Sequence, residues 1–336
     1  MKNIDHDALE ELLRQASPRP VPSPEEEAAV RGAVRAEWTS LTSQRRARQR
    51  VARYAIAATV LLGVFAAFNV SRTPVAEVVR VATIEKSTGS VYLLGERSEL
   101  RETLDLSNIL SGQTIVTGKD AGLALAWSKG GSIRVDETSR IKFADDESVF
   151  LLEGRVYFDS SPSSRPSSRP SSRLEAGIGP IFILRTELGE IQHLGTQYMS
   201  EIDSDTLIVS VREGEVSING KYHDRKVLSG QQAMMSGRQQ PSILSISRSG
   251  EAWNWVNRTT PPVEVEGWSM YEFLVWACRE LGLEFQFEVD AEAEARKAEL
   301  KGTIDIQPAD ALRLRLASAA LDWRIDEGVI YIQKGP

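Results

Sequence analysis

The chain is 336 residues long, enough for two or three domains, and its 41% hydrophobic content supports packed cores. Its net charge of −7 is uneven, +2 over residues 1–53 and −9 over the rest, and nothing in it points to a nucleic-acid surface. The single cysteine, Cys278, excludes an internal disulfide, and three scattered histidines (His6, His193, His223) argue against a zinc site.

Asp7 to Gln15 reads as a short helix with Leu9, Leu12 and Leu13 as its apolar stripe. Four prolines between Ser17 and Pro24 end it. Ser23 then reads as an N-cap, with Pro24 at the first helical position and Glu25, Glu26 and Glu27 in the first turn. Val30, Val34, Trp38 and Leu41 follow on one face. Two short helices make a poor core, so the stripes of residues 1–50 are expected to close on a cytoplasmic partner.

Tyr54 to Ser71 is a stretch of eighteen residues without a charge. At about 1.5 Å per residue it predicts one transmembrane helix over 51–71. Arg45, Arg46, Arg48, Arg50 and Arg53 precede it, which orients the N-terminus to the cytoplasm and matches anionic inner-leaflet lipid. A signal peptide would begin near the first residue, whereas this stretch follows about fifty polar ones.

From 78 to 246 the pattern becomes period two, as in Ser132-Ile133-Arg134-Val135 and Leu207-Ile208-Val209-Ser210-Val211. Turns are expected at Gly118, Gly130-Gly131, Asp145-Asp146, Gly154, Gly189 and Gly214, giving an all-β sandwich or roll. Asp145-Asp146-Glu147 reads as a solvated hairpin turn rather than a cation site. The tetrapeptide Pro-Ser-Ser-Arg recurs over 162–173 and predicts an extended, solvated loop. Residues 247–262, with Trp253, Trp255 and Pro261-Pro262, read as a linker. A small α+β domain is expected over 263–334, with helices opening at Ser269 and Pro308 and a closing hairpin around Glu327-Gly328. Cys278 sits mid-helix as a small core residue.

The middle region resembles the FecR family of bacterial inner-membrane signalling proteins. The matching blocks run from Thr88-Gly89-Ser90-Val91 through Leu110 to Gly118, Leu152-Glu153-Gly154-Arg155-Val156-Tyr157-Phe158 and Leu194-Gly195-Thr196-Gln197-Tyr198 to Leu228-Ser229-Gly230-Gln231-Gln232. The C-terminal region is similar in topology to the short N-terminal domain shared by secretins and TonB-linked transducers. The fold class implied is a multidomain membrane protein: a short α-helical cytoplasmic segment, one transmembrane helix, an all-β FecR-like periplasmic domain and a small α+β C-terminal domain.

The resemblance implies a single-pass inner-membrane signal transducer that holds an extracytoplasmic-function sigma factor in the cytoplasm. In the periplasm it would read the signalling domain of a TonB-dependent outer-membrane receptor. Leu9, Leu12, Leu13, Val30, Val34 and Trp38 are the expected sigma-binding set, although the segment is shorter than is common in the family. No direct nucleic-acid contact, metal or cofactor is expected. The resemblance also implies a possible self-cleavage in an otherwise non-enzymatic chain. Some family members cut the Gly-Thr bond of the Leu-Gly-Thr motif by an N–O acyl shift, here Gly195–Thr196, with His193 nearby. Thr196 packed at the start of a strand is the alternative. A membrane-anchored periplasmic scaffold without sigma binding is the competing function. A hydrolase on a β scaffold lacks any nucleophile elbow, metal spacing or phosphate loop.

Overall fold

A computed structural model describes residues 10–11, 14–15, 23–38, 78–94, 100–102, 107–160, 182–288, 290–319 and 321–335. The chain divides into two compact units, Met1–Glu77 and Val78–Pro336.

In the first unit residues 10–11 and 14–15 are helical, and the longest described element is a helix, α1 (24–38). Ser23 and Glu26 cap it reciprocally: the Glu26 amide donates to Ser23 Oγ (3.3 Å) and the Ser23 amide to Glu26 Oε2 (3.0 Å). A Glu27–Arg31 pair at i,i+4 supports the next turn. Leu9, Leu12, Leu13, the apolar stretch 51–71 and the repeat loop 162–173 lie outside the described residues.

The expected fold class is corrected in its membrane part. Among the described residues no helix is long and apolar enough to cross a membrane. The helix α1 is only about 22 Å long at ~1.5 Å per residue and carries charge on every turn. What the described residues form is mostly β-sheet with short helices.

In the second unit fifteen strands among the described residues run from β1 (Arg80–Thr88) to β15 (Ser242–Ser245) in one continuous, mainly antiparallel sheet. Alternation is clean in its short strands: β8 (Arg140–Phe143) buries Ile141 and Phe143 and exposes Arg140 and Lys142. The sheet curls around an apolar core that includes Ile133, Val156, Phe158, Tyr198, Val209 and Val211.

Three long strands, β9 (Ser148–Asp159), β11 (Gly189–Asp203) and β12 (Thr206–Gly220), change neighbours part-way along. The first pairs with β8 up to Glu153, then with β7 (Ser132–Val135) and β11. The third pairs with β14 (Gln231–Ser236) up to Val211 and with β13 (Asp224–Leu228) from Glu215. The changes fall at Gly154 (φ 86°), Gly195 (φ 58°) and Gly214 (φ 79°). Gly154 and Gly214, expected at turns, therefore lie inside strands. There they form bends where an L side chain is strained and where a strand leaves one neighbour for another.

Residues 247–262 fold into a 3₁₀ turn (Glu251–Trp253) and a short helix, α2 (Asn254–Arg258). Then come α3 (Met270–Leu281), α4 (Ala291–Lys297) and α5 (Pro308–Ser318) against a three-stranded sheet of β17 (Glu284–Phe287), β20 (Val329–Lys334) and β19 (Leu321–Asp326). Ser269 and Glu272 make a capping box on α3, and Gly282 ends that helix in the left-handed region. Positive φ at Glu327 and Gly328 turns the final hairpin. A second apolar cluster, with Phe273, Leu274, Leu312 and Ile330, fills this α+β region.

Candidate functional site: a strand corner and a charged seam

Gly195 and Thr196 sit where β11 crosses the corner. Leu194 pairs with Glu215 and Gln197 with Glu213, so the two residues between them have no partner in register on β12. Gly195 is exposed and Thr196 fully buried. Gly214 lies beneath them. A Cβ there would come within 2.5 Å of the Gly195 carbonyl oxygen and 2.7 Å of Thr196 Cγ2. The Thr196 carbonyl accepts from the Ser160 amide (3.0 Å). Its hydroxyl oxygen is buried and has no hydrogen-bond partner among the described residues. His193 packs its ring among Phe158 (4.7 Å), Tyr198 (6.1 Å) and Phe182 (6.5 Å).

The face of the sheet opposite the apolar core carries Arg134, Tyr157, Asp159, Gln197, Met199 and Arg212, all buried. Alternation along each strand aims them outward, and residues 246–282 cover them. Trp253 and Trp255 seal the centre with Tyr157, Met199 and Val256. The Trp255 indole N–H reaches Met199 Sδ at 3.1 Å, and Trp253 meets Tyr157 edge to face at 6.4 Å.

Around that patch run the charges. Arg134 donates to Glu280 Oε2 (2.8 Å), the Val256 carbonyl (3.0 Å) and Thr260 Oγ1 (3.1 Å). Arg279 grips Asp159 with two nitrogens, Nη2 at 2.7 Å from Oδ1 and Nη1 on Oδ2. Gln197 Nε2 donates to the same Asp159 Oδ2 at 3.1 Å. Arg212 donates to the carbonyls of Arg248 (2.8 Å) and Glu280 (2.9 Å) and lies 4.3 Å from the Trp253 ring centre.

Burial works most strongly against the Arg134 charge, but Glu280, Tyr157 and Asp159 together outweigh it and leave the group more firmly protonated than usual. Arg212 pairs with no carboxylate among the described residues, and burial lowers it. Burial also pushes the Tyr157 hydroxyl and the Cys278 thiol up, the latter to about 12. A cleft of about 390 Å³ opens at the seam, lined by Gln197, Arg212, Glu213, Arg279, Leu283 and Phe285 among others.

On α1, Val30, Val34 and Trp38 are 64%, 61% and 68% exposed, spaced four residues apart on one face. At the tip of the hairpin after β8, Asp145 accepts from the Glu147 amide (2.9 Å), the Ser148 amide (2.7 Å) and Ser148 Oγ (2.9 Å). Lys129 pairs with Asp146 and Glu147 there.

Sequence reasoning singled out Gly195, Thr196 and His193 but passed over Arg134, Asp159, Gln197, Arg279 and Glu280. An Arg between Ile133 and Val135 has the look of an ordinary solvent-facing strand residue. No local signal marks its partner 146 residues away.

The family described as FecR protein matches residues 113–217. The matched stretch contains the Gly195–Thr196 corner and ends before the covering segment. Two crystal structures of a candidate anti-sigma factor from Parabacteroides distasonis align distantly. One has 13% identity and a TM-score of 0.33, the other 14% and 0.31; each alignment spans 66% of this chain and 99% of the other. A likeness that distant carries no inference about this chain. No curated protein matches it.

Proposed function

We propose that the chain regulates an extracytoplasmic-function sigma factor, holding it through the N-terminal segment under the control of residues 78–336. In this reading the N-terminal segment works in the cytoplasm. The β and α+β regions work in the periplasm, where they answer the signalling domain of a TonB-dependent outer-membrane receptor. The FecR match at 113–217 carries the proposal. The exposed stripe Val30, Val34 and Trp38 supports it, since an amphipathic helix with an exposed apolar face suits helix-in-groove binding. A sigma factor bound there cannot offer the same surface to polymerase.

The test is capture from lysate of the parent organism with the full chain as bait. A sigma factor retained by the native protein and lost by Val34→Asp/Trp38→Asp supports the reading, as does derepression of target genes by that variant. If the variant is silent in both, the chain is a scaffold instead. Reporter enzymes fused within 1–22 and after 336 test the assignment to compartments.

The corner supports a second activity, self-cleavage at Gly195–Thr196. Thr196 Oγ adds to the Gly195 carbonyl carbon, the bond from that carbon to the Thr196 nitrogen breaks, and the hydroxyl proton ends on the freed amine. The resulting ester then takes up water, leaving a Gly195 carboxyl group and restoring the Thr196 hydroxyl. The unpartnered Thr196 hydroxyl and the positive φ of Gly195 favour this reading. Full-length protein alone on prolonged incubation, unchanged by Thr196→Ala, would remove it.

A further inference from the structure

The corner is tied to α3 through Asp159, and Arg279 Nε also lies 3.5 Å from Oε2 of Glu213, the register partner of Gln197. Asp159 ends β9, pairs in register with Gln197 and is fully buried. One of its oxygens accepts from the Gln197 amide group at 3.1 Å. The next residue, Ser160, holds the Thr196 carbonyl through its amide at 3.0 Å. Residues 159–160 therefore grip 196–197 twice, by main chain and by side chain. The charge of Asp159 is matched by Arg279 of α3, 120 residues further along the chain, through two guanidinium nitrogens.

We infer that Asp159 and Arg279 are positioning residues for the Gly195–Thr196 acyl shift, so that docking of the α+β region sets the rate of chain cleavage. The inference rests on the self-cleavage reading. Thr196 is the nucleophile; neither Asp159 nor Arg279 touches the reacting atoms. A buried carboxylate stripped of its guanidinium must recruit water or turn toward another donor. Either response loosens Gln197, and with it the neighbouring Thr196. The approach of Thr196 Oγ to the Gly195 carbonyl carbon, which the shift requires, is then no longer held in one orientation. On the other side the missing side chain of Gly214 lets Thr196 pack close, since a Cβ there would lie 2.7 Å from Thr196 Cγ2. A displacement of about 1 Å at a reacting group costs up to ~100-fold in rate.

The seam holds a built-in control. Arg134 and Glu280 join the same two regions, with Glu280 adjacent to Arg279 in sequence, but neither bonds to Asp159 or Gln197. A change there disturbs docking and leaves the hydrogen bonds of Asp159 and Gln197 in place, removing only the through-space attraction between Arg134 and Asp159.

The experiment follows cleavage of the full chain by intact mass and by the appearance of Thr196 as a new N-terminus. Hydroxylamine is added in parallel to trap the ester. Arg279→Ala and Asp159→Asn are expected to slow cleavage and lower the trapped ester by about 10- to 100-fold, with Arg279→Lys partly restored. The paired replacement Arg134→Met/Glu280→Leu is expected to stay within about 3-fold of wild type. If wild type cleaves but Arg279→Ala and Asp159→Asn keep its rate, the positioning role is overturned while self-cleavage stands. If all seam variants slow alike and Arg279→Lys restores nothing, the residues act only by stabilising the fold, which also overturns it. If wild type yields neither fragments nor trapped ester, self-cleavage fails and the positioning role falls with it.

Discussion

The sheet built from β7, β9, β11 and β12 is closed to solvent on both faces, by two different kinds of chemistry. Its inner face is apolar, with Ile133, Val156, Phe158, Tyr198 and Val211 in one cluster. Its outer face pairs an aromatic seal (Tyr157, Trp253, Trp255) with Arg134, Asp159, Gln197 and Arg212. Burial on the inner face is non-directional: many side chains of the right volume would fill it. The outer face is directional, because each buried charge is tolerated only while its own partner is in place. The apolar face holds the sheet together, whereas the charged face fixes where the covering segment sits. Buried ion pairs add little net adhesion but penalise every other docking geometry.

The sharpest way to break this comparison is to damage each face in turn. Phe158→Ala on the inner face should cost about 3–5 kcal/mol in chemical denaturation. Glu280→Leu on the outer face should cost about as much, because it strands the buried Arg134 guanidinium. The faces should then diverge. Adding Arg134→Met to Glu280→Leu should restore most of the loss, whereas no single second change repairs Phe158→Ala. Additive losses at 134 and 280 would mean that the seam behaves like ordinary packing.

The corner joins the two faces and comes next. Gly214→Ala should destabilise by about 2–4 kcal/mol, since the new Cβ meets the Gly195 carbonyl and Thr196 and φ at this position is positive. A melting temperature unchanged from wild type would show that the bend is soft.

Reactivity at Cys278 sharpens the comparison without altering stability. Its thiol, pushed up to about 12 by burial, is almost wholly protonated at pH 8, so native protein should label with a thiol reagent far more slowly than unfolded chain. Glu280→Leu should speed labelling, because Cys278 borders the seam cleft; an equally slow rate would show that the pair does not hold the seam shut.

Glu201 gives the smallest effect. Burial, with help from Asp203 and Asp136, raises its carboxyl despite Arg155, so the folded protein holds this proton more tightly than the unfolded chain. Its ionised form therefore costs stability once the pH is above the folded pKa. Glu201→Gln should raise the melting temperature slightly at pH 8, and the gain should vanish as pH falls below the usual carboxylate range. A gain that persists at pH 3 would point to a cause other than charge.

Much of this protein is legible along the chain. Period-two alternation marks strands such as Ser132–Val135 and Arg140–Phe143, and the Ser-x-x-Glu pattern opens α1 and α3. These follow from local chemistry: side chains alternate across a pleat, and a serine oxygen reaches the amide three residues on. Leu194-Gly195-Thr196 stood out as a motif, but its neighbours did not. Alternation tells which side chains share a face of a strand, not whether a distant segment covers that face. Gly154 and Gly214 looked like turns because glycine permits a positive φ in a turn and in a bulge alike. Only the curl of the sheet decided between the two. Tertiary structure alone brought Glu280 to Arg134 and Arg279 to Asp159. The energy of a buried charge depends on what lies within a few ångströms in space, and that is set by the path of the whole chain.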